Sequence, residues 1–290
     1  MRVGAVFPQT EIGGDVGAVR AYAQAVDRLG FRHLLAYDHV VGADPEVHAP
    51  WTWPYDIRTT FHEPLVLFGY LAACTDLELV TGILILPQRQ TTLVAKQAAE
   101  VDLLTGGRFR LGVGIGWNQV EYQALGQDFG TRGRRVEQQI ELLRAYWTQP
   151  SVTFHGDDDV VLGAGLSPLP VQRPIPIWIG GSSNAVYRRI GRLADGWFPQ
   201  VGPGPRLDEA RAVIEQAARE HGRDPGQIGL ESQVSWSGSA EQVADQAARW
   251  AKAGATHLAV NTMNAGLGSV DDHISALTRS AEALGLTRPA

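Results

Sequence analysis

The 290-residue chain is 44% hydrophobic and 19% charged, which supplies the core of a soluble globular protein. Its net charge of -6 and pI near 5.7 exclude the basic face that a nucleic-acid partner needs, and no run of about 18 apolar residues is present to span a membrane. Cys74 is the single cysteine, which rules out an internal disulfide framework and a paired-cysteine metal site.

The opening MRVGAVFPQT runs straight into a strand-like segment without the layout of a signal peptide, so a cytoplasmic location is expected. Along the chain, short β-branched runs alternate with amphipathic stretches. Strands are predicted at Val3–Phe7, His33–Tyr37, Leu77–Leu84, Phe109–Ile115, Pro176–Gly180, Gly196–Gln200, Gly229–Val234 and His257–Asn261. The near-continuous apolar run ELVTGILIL reads as a strand covered on both faces, as in a parallel sheet. Val16–Leu29 is read as a helix with Val16, Val19, Ala23, Val26 and Leu29 on one stripe and Gly30 as its C-cap. Thr131–Trp147 is a long helix with charges outward. Ser239–Ala253 opens on an N-cap serine with Gln242 as capping-box partner and ends at Gly254. Two excursions break the rhythm: an aromatic- and proline-rich loop at Val41–His62, and Ser151–Arg173, with a hairpin around GDDD.

Eight strands, each followed by a helix, predict an α/β fold, a (β/α)8 TIM barrel in one domain over residues 1–290. A doubly wound open sheet is the competitor, but it carries a glycine fingerprint after its first strand, and here Phe7 leads into PQTEIGGD.

Barrel active sites lie at the C-terminal ends of the strands. There the sequence places Asp38 and His39, then Gly82, the run GVGIGWN ending in Trp117 and Asn118, the segment Gly180–Asn184, and Gln200. Two glycines at a strand end followed by Ser182, Ser183 and Asn184 at a helix start suit an anion, and equally a plain turn with an N-cap. His39 is the best acid–base candidate, with Asp38 beside it, although adjacent strand residues face opposite ways. Gly82 within an apolar strand marks a bulge or a close approach to a flat ligand. Trp51, Trp53, Tyr55 and Phe61 read alike as a stacking cap, a hydrophobic plug or a dimer contact. No histidines stand at metal-ligand spacing, and Lys96 and Lys252 both fall in helices, which disfavours metal and Schiff-base chemistry.

Three segments carry a resemblance to a known family: AYDHV at 36–40, LELVTGILILPQRQTTLVAKQAAEVDLLTGGRFRLGVGIGWNQVEYQALG at 77–126, and PIPIWIGGSSNAVYRRIGRLADGW at 174–197. Their order and spacing resemble the luciferase-like flavin and deazaflavin oxidoreductases. The resemblance implies a barrel, usually dimeric, with the cofactor ring over the third strand. It implies a non-prolyl cis bulge at Gly82–Ile83 behind the ring and Asp38 at the ring edge. His39 is implied as proton donor of the deazaflavin branch, and Gly180, Gly181, Ser183 and Asn184 as the phosphate-holding segment. With Thr81 and Ser182 added, these form the expected cofactor site; Trp51, Trp53, Trp117, Asn118 and Gln200 form the expected substrate pocket.

Coenzyme F420 is preferred over FMN, because Asp38-His39 resembles the compact deazaflavin members and the Arg-over-Lys bias suggests a GC-rich actinobacterial host. The expected activity is hydride transfer between the deazaflavin C5 and a small organic substrate, with His39 handling the proton. Some deazaflavin dehydrogenases carry a glutamate where Trp117 stands, and Glu121 lies a helical turn beyond that position. An FMN-dependent monooxygenase served by a separate reductase is the alternative, and a non-catalytic cofactor carrier a further one.

Overall fold

The computed structural model describes residues 1–287. Its strands are β1 (Arg2–Val6), β2 (His33–Ala36), β3 (Glu78–Thr81), β4 (Leu84–Ile85), β5 (Phe109–Gly114), β6 (Val152–His155), β7 (Val160–Ala164), β8 (Ile177–Gly181), β9 (Gly196–Pro199), β10 (Gly229–Ser235) and β11 (His257–Asn261). The helices are α1 (Gln9–Ile12), α2 (Val16–Arg28), α3 (Pro64–Ala72), α4 (Thr91–Leu104), α5 (Gln119–Ala124), α6 (Arg132–Thr148), α7 (Asn184–Leu193), α8 (Pro205–Glu220), α9 (Ala240–Lys252) and α10 (Val270–Ala283). β1 pairs with both β2 and β11, β3 closes on β5, and every barrel pairing is parallel. With β3 and β4 sharing one stave, the result is the eight-stranded parallel barrel expected from the alternation of elements. β6 and β7 stand apart as an antiparallel hairpin, turned at the GDDD segment by a hydrogen bond from the Gly156 amide to the Asp159 carbonyl.

Local signals account for most boundaries. α2 stops where Gly30 takes φ 86°, α9 where Gly254 takes φ 83°, a region costly for residues with a Cβ. Ser239 caps α9 by accepting from the Gln242 amide. The run predicted as one strand from Leu77 to Leu84 is instead broken at Gly82–Ile83, whose peptide bond is cis. There the Gly82 amide donates to the Ala36 carbonyl at 2.7 Å, and a Cβ on Gly82 would lie 2.2 Å from the Leu35 side chain. Only a glycine lets the backbone come this close.

Side chains alternate with the period of two that strands impose. Leu34, Leu79, Leu111, Ile177, Leu230 and Leu258 point outward into the layer between barrel and helices. Val6, Leu35, Val80, Trp178, Phe198 and Ala259 point inward. The same alternation sends polar groups to the barrel floor. Glu231 is buried there, accepting from Arg110 and lying 2.7 Å from His33 Nε2, while Arg110 stacks over Trp178 at 4.3 Å. Arg110 also reaches Glu78 at 3.3 Å, so this buried cluster ties four strands together.

Gly112 marks the tightest approach in the barrel wall. A Cβ there would fall 1.9 Å from the Thr81 carbonyl oxygen and 2.8 Å from the Phe198 ring. The first obstacle is backbone, which cannot rotate away. Gly112→Ala is therefore expected to cost about 3 kcal/mol or more, at the upper end of overpacking effects. Chemical denaturation of the variant checks this, and wild-type stability would contradict the β3–β5 register.

Candidate functional site

The C-terminal ends of the strands open into a cavity of about 1110 Å³. Its floor is made by inward-facing Tyr37, Phe198, Glu231 and Gln233. The Tyr37 hydroxyl donates to Gln233 Oε1 at 2.6 Å, and burial pushes its pKa upward, so it remains a neutral donor. Above this floor Ile83 projects from the β3–β4 break into space cleared by two glycines. A Cβ on Gly114 would come 2.5 Å from Ile83, and one on Gly180 3.2 Å from it. The glycines thus leave a smooth apolar shelf around Ile83.

At the far end of the shelf lie Gly180, Gly181, Ser182 and Ser183. Gly181 has φ 146°, and a Cβ on it would press on Val186 at 2.9 Å. Ser183 caps α7, its hydroxyl accepting from the Val186 amide at 3.3 Å. Amides at this helix start, with the macrodipole behind them, suit a phosphate. A planar ring on the Ile83 shelf with a phosphate at Gly181–Ser183 fits the surfaces present, because side chains would fill both places if the glycines had them. Asn184, expected in this set, is the exposed first residue of α7 and lies outside the cavity wall.

Asp38 does not face the cavity either. One residue beyond inward-facing Tyr37, it turns to the other side of the strand end and is 3% exposed. Its Oδ2 accepts from the Ile85 amide at 2.9 Å and its Oδ1 from Arg89 at 2.7 Å, and Arg89 also holds Glu63. Burial raises the Asp38 pKa against the opposing pull of Arg89. Its geometry is that of a brace joining the end of β2 to β4. Thr81 likewise departs from the expected cofactor contact: it faces outward, fully buried, and donates to the Gly112 carbonyl at 2.7 Å.

His39 lies in an aromatic box. Its ring centroid is 4.8 Å from Phe61, 5.3 Å from Tyr55 and 5.5 Å from Trp117. Tyr55 and Trp117 also line the main cavity, so they form the layer between it and the imidazole. His39 Nδ1 is 3.2 Å from Glu121 Oε2, a fully buried carboxylate that also accepts from the Val40 amide and from Gln88 at 3.1 Å. Burial alone would raise the Glu121 pKa, but these donors together hold it below the usual range. An ionised Glu121 takes the Nδ1 proton as its hydrogen bond and leaves Nε2 as the free ring nitrogen.

Glu121 is the principal residue that sequence reasoning set aside. A signal existed in Asn118-Gln-Val-Glu121. Asn118 is the N-cap of α5, accepting from the Val120 and Glu121 amides, which puts Glu121 at the third helical position, where side chains turn back toward the cap. Asn118 thus spends its side chain on the cap, and it borders the small pocket beside His39. Trp117 and Gln200 line the main cavity. Trp53 stacks on Trp117 at 4.7 Å, and Trp51 donates through Nε1 to the Tyr55 carbonyl at 3.1 Å. Neither Trp51 nor Trp53 lines the cavity itself; both pack against Trp117, which does.

Comparison with known proteins bears on this arrangement. Residues 1–285 match a family described as luciferase-like monooxygenase. The FMNH2-dependent dimethylsulfone monooxygenase of Pseudomonas putida is 33% identical over 219 residues, 71% of this chain and 55% of that protein. The chain spans about half the length of the first curated relatives it matches, 56% for an uncharacterised Mycobacterium tuberculosis protein. Among solved structures, long-chain alkane monooxygenase superposes with a TM-score of 0.81 at 14% identity, covering 100% of this chain and 93% of that one. An F420-dependent secondary alcohol dehydrogenase gives 0.76 at 17% identity, covering 98% of each. These two likenesses concern the fold.

Proposed function

The chain belongs to the luciferase-like monooxygenase family, and from that premise we propose that it is an oxidoreductase using reduced FMN to oxygenate a small organic substrate. The observation that carries the choice of FMN over coenzyme F420 is the similarity to the FMNH2-dependent enzyme of Pseudomonas putida. Trp117 stands where some deazaflavin dehydrogenases have a glutamate, which points to a substrate different from theirs. Reduced FMN, when bound, supplies the electrons that activate dioxygen.

The protein's own residues supply position and protons. Gly82–Ile83, Gly114 and Gly180 present the shelf for the ring, and Gly181–Ser183 present amides to the phosphate. The Tyr37 hydroxyl, its proton given to Gln233, presents an acceptor oxygen from the floor. Glu121 holds the His39 ring with Nε2 available to give or take a proton. Tyr55 and Trp117 pack against the imidazole and limit its exposure to 11%. A separate reductase is the expected source of reduced FMN, and a homodimer the expected assembly.

Hydride transfer with F420 is the second reading, favoured by the His39–Glu121 pair, which suits a proton accompanying a hydride. Titrating the apo-protein with FMN and F420 separately, followed by fluorescence quenching, distinguishes the two. Tight FMN binding, with oxygen uptake on adding reduced FMN and substrate, is the expected result. Tight F420 binding with weak FMN binding moves the assignment to hydride transfer, and binding of neither defeats both.

A further inference from the structure

The barrel wall is not continuous between β9 and β10. They pair only at Gly196 with Gly229 and Trp197 with Leu230. On either side the ladders run further, β8 with β9 up to Pro199 and β10 with β11 up to Ser235. The upper halves of β9 and β10 therefore diverge. Outside the barrel, α8 packs closely on α7. Gly191 of α7 sits so close that a Cβ would meet the Ile214 carbonyl at 2.3 Å. At the foot, Arg211 of α8 donates to the Ala253 carbonyl just past α9.

The main cavity passes through this gap, and its outer wall is Gln246, Arg249 and Trp250 of α9. Arg249 is the only cationic side chain in that wall among the described residues, and it has no ion pair or side-chain hydrogen bond. The wall's one acidic residue, Glu231, is already engaged by Arg110 and His33. The positive charge is thus not answered within the protein. Gln246 is three residues before Arg249 and on the same helix face, so an amide and a guanidinium fork are presented side by side, next to the indole of Trp250.

Resting on the flavin-site reading above, we infer that this lateral mouth is an oxyanion subsite where Arg249 and Gln246 hold a carboxylate, sulfonate or phosphate of the organic substrate. The substrate's flat or apolar body lies along Trp250 toward the Ile83 shelf. A guanidinium fork suits such a planar or tetrahedral oxyanion better than a neutral polar group. The FMN phosphate is accounted for at Gly181–Ser183, which leaves the anion at α9 to the substrate.

The test is a calorimetric titration of the apo-protein with naphthalene-2-carboxylate and with its neutral analogue naphthalene-2-carboxamide, alongside FMN and F420. The wild-type protein is expected to bind the carboxylate about tenfold more tightly than the amide. Arg249→Gln is expected to bring the two within about twofold, while Arg249→Lys retains part of the preference. FMN affinity is expected to stay unchanged in both. No carboxylate preference in the wild type, or a preference that survives Arg249→Gln, overturns the subsite. If Arg249→Gln instead weakens FMN or F420 about tenfold, the anion is the cofactor's and the substrate assignment is overturned. A wild-type protein that binds neither cofactor defeats the flavin reading alone, since the carboxylate preference is read without one.

Discussion

Glu121→Ala is expected to lower turnover by about 100-fold and to destabilise the fold by about 3 kcal/mol. Its carboxylate is buried and receives hydrogen bonds from the Val40 amide and Gln88, with His39 Nδ1 at 3.2 Å. Removing it leaves those donors buried without a partner, and such groups forfeit their full desolvation cost. It also frees the imidazole to rotate and to choose its tautomer, so the ring nitrogen facing the aromatic layer is no longer defined. Glu121→Gln separates the two effects. The amide retains the shape and one acceptor, so part of the stability returns, but it no longer requires the proton on Nδ1, and turnover stays low. Steady-state kinetics beside urea denaturation reads both. Wild-type turnover in Glu121→Gln would show that His39 does not work through this carboxylate.

The second large effect is expected at the barrel floor. Glu231→Ala strips the shared buried carboxylate from Arg110 and His33 and leaves Arg110 only its 3.3 Å contact with Glu78. Breaking a buried ion pair from one side costs about 3–5 kcal/mol when the other charge is left unpaired, and with Glu78 still beside Arg110 a loss of about 3 kcal/mol is expected. Replacing Glu231 and Arg110 together with methionine removes both charges and is expected to cost far less. The same cluster sets a pH dependence. Burial would raise the Glu231 pKa, but Arg110 and His33 outweigh it and hold the carboxyl at about 2, below its ordinary 4.5. Burial, then Arg110, depresses His257 to about 3 from 6.5. Both groups bind protons more readily in the unfolded chain, so their stabilising contribution is full at neutral pH. It declines as pH falls below 6.5 for His257 and below 4.5 for Glu231, toward the folded values near 3 and 2. Urea denaturation midpoints across this range give the measurement, and a flat profile would contradict the cluster.

Much of the scaffold is legible in the sequence because it rests on local chemistry. The period-two alternation and the covered apolar runs locate all eight barrel strands, and the helix ends at Gly30 and Gly254 follow from glycine's access to positive φ. Gly82 inside an apolar run announces its break for a steric reason, since nothing larger fits against Leu35. The glycine and serine residues at 180–183 declare a strand end and a helix cap wherever the chain goes next.

The partners are another matter. His39 meets Glu121 across 82 positions, and Asp38 meets Arg89 across 51. No local pattern encodes such pairs, because they depend on which strand ends the closed barrel brings together. Strand alternation could have turned Asp38 away from the cavity, yet its burial needed the third strand and Arg89 to cover it. Whether the tryptophans at 51 and 53 line the cavity or cover Trp117 depended on where the loop came to rest. The divergence of β9 from β10, which carries the cavity to Arg249, goes with α8 packing closely on α7, a contact between elements rather than within one. The amino-acid sequence by itself determined the strands, their order and the glycine-lined shelf, since dihedral preference and hydrophobic period act over a few residues. Only the tertiary structure decided which charges answer one another and where the cavity opens, since those follow from packing between distant segments.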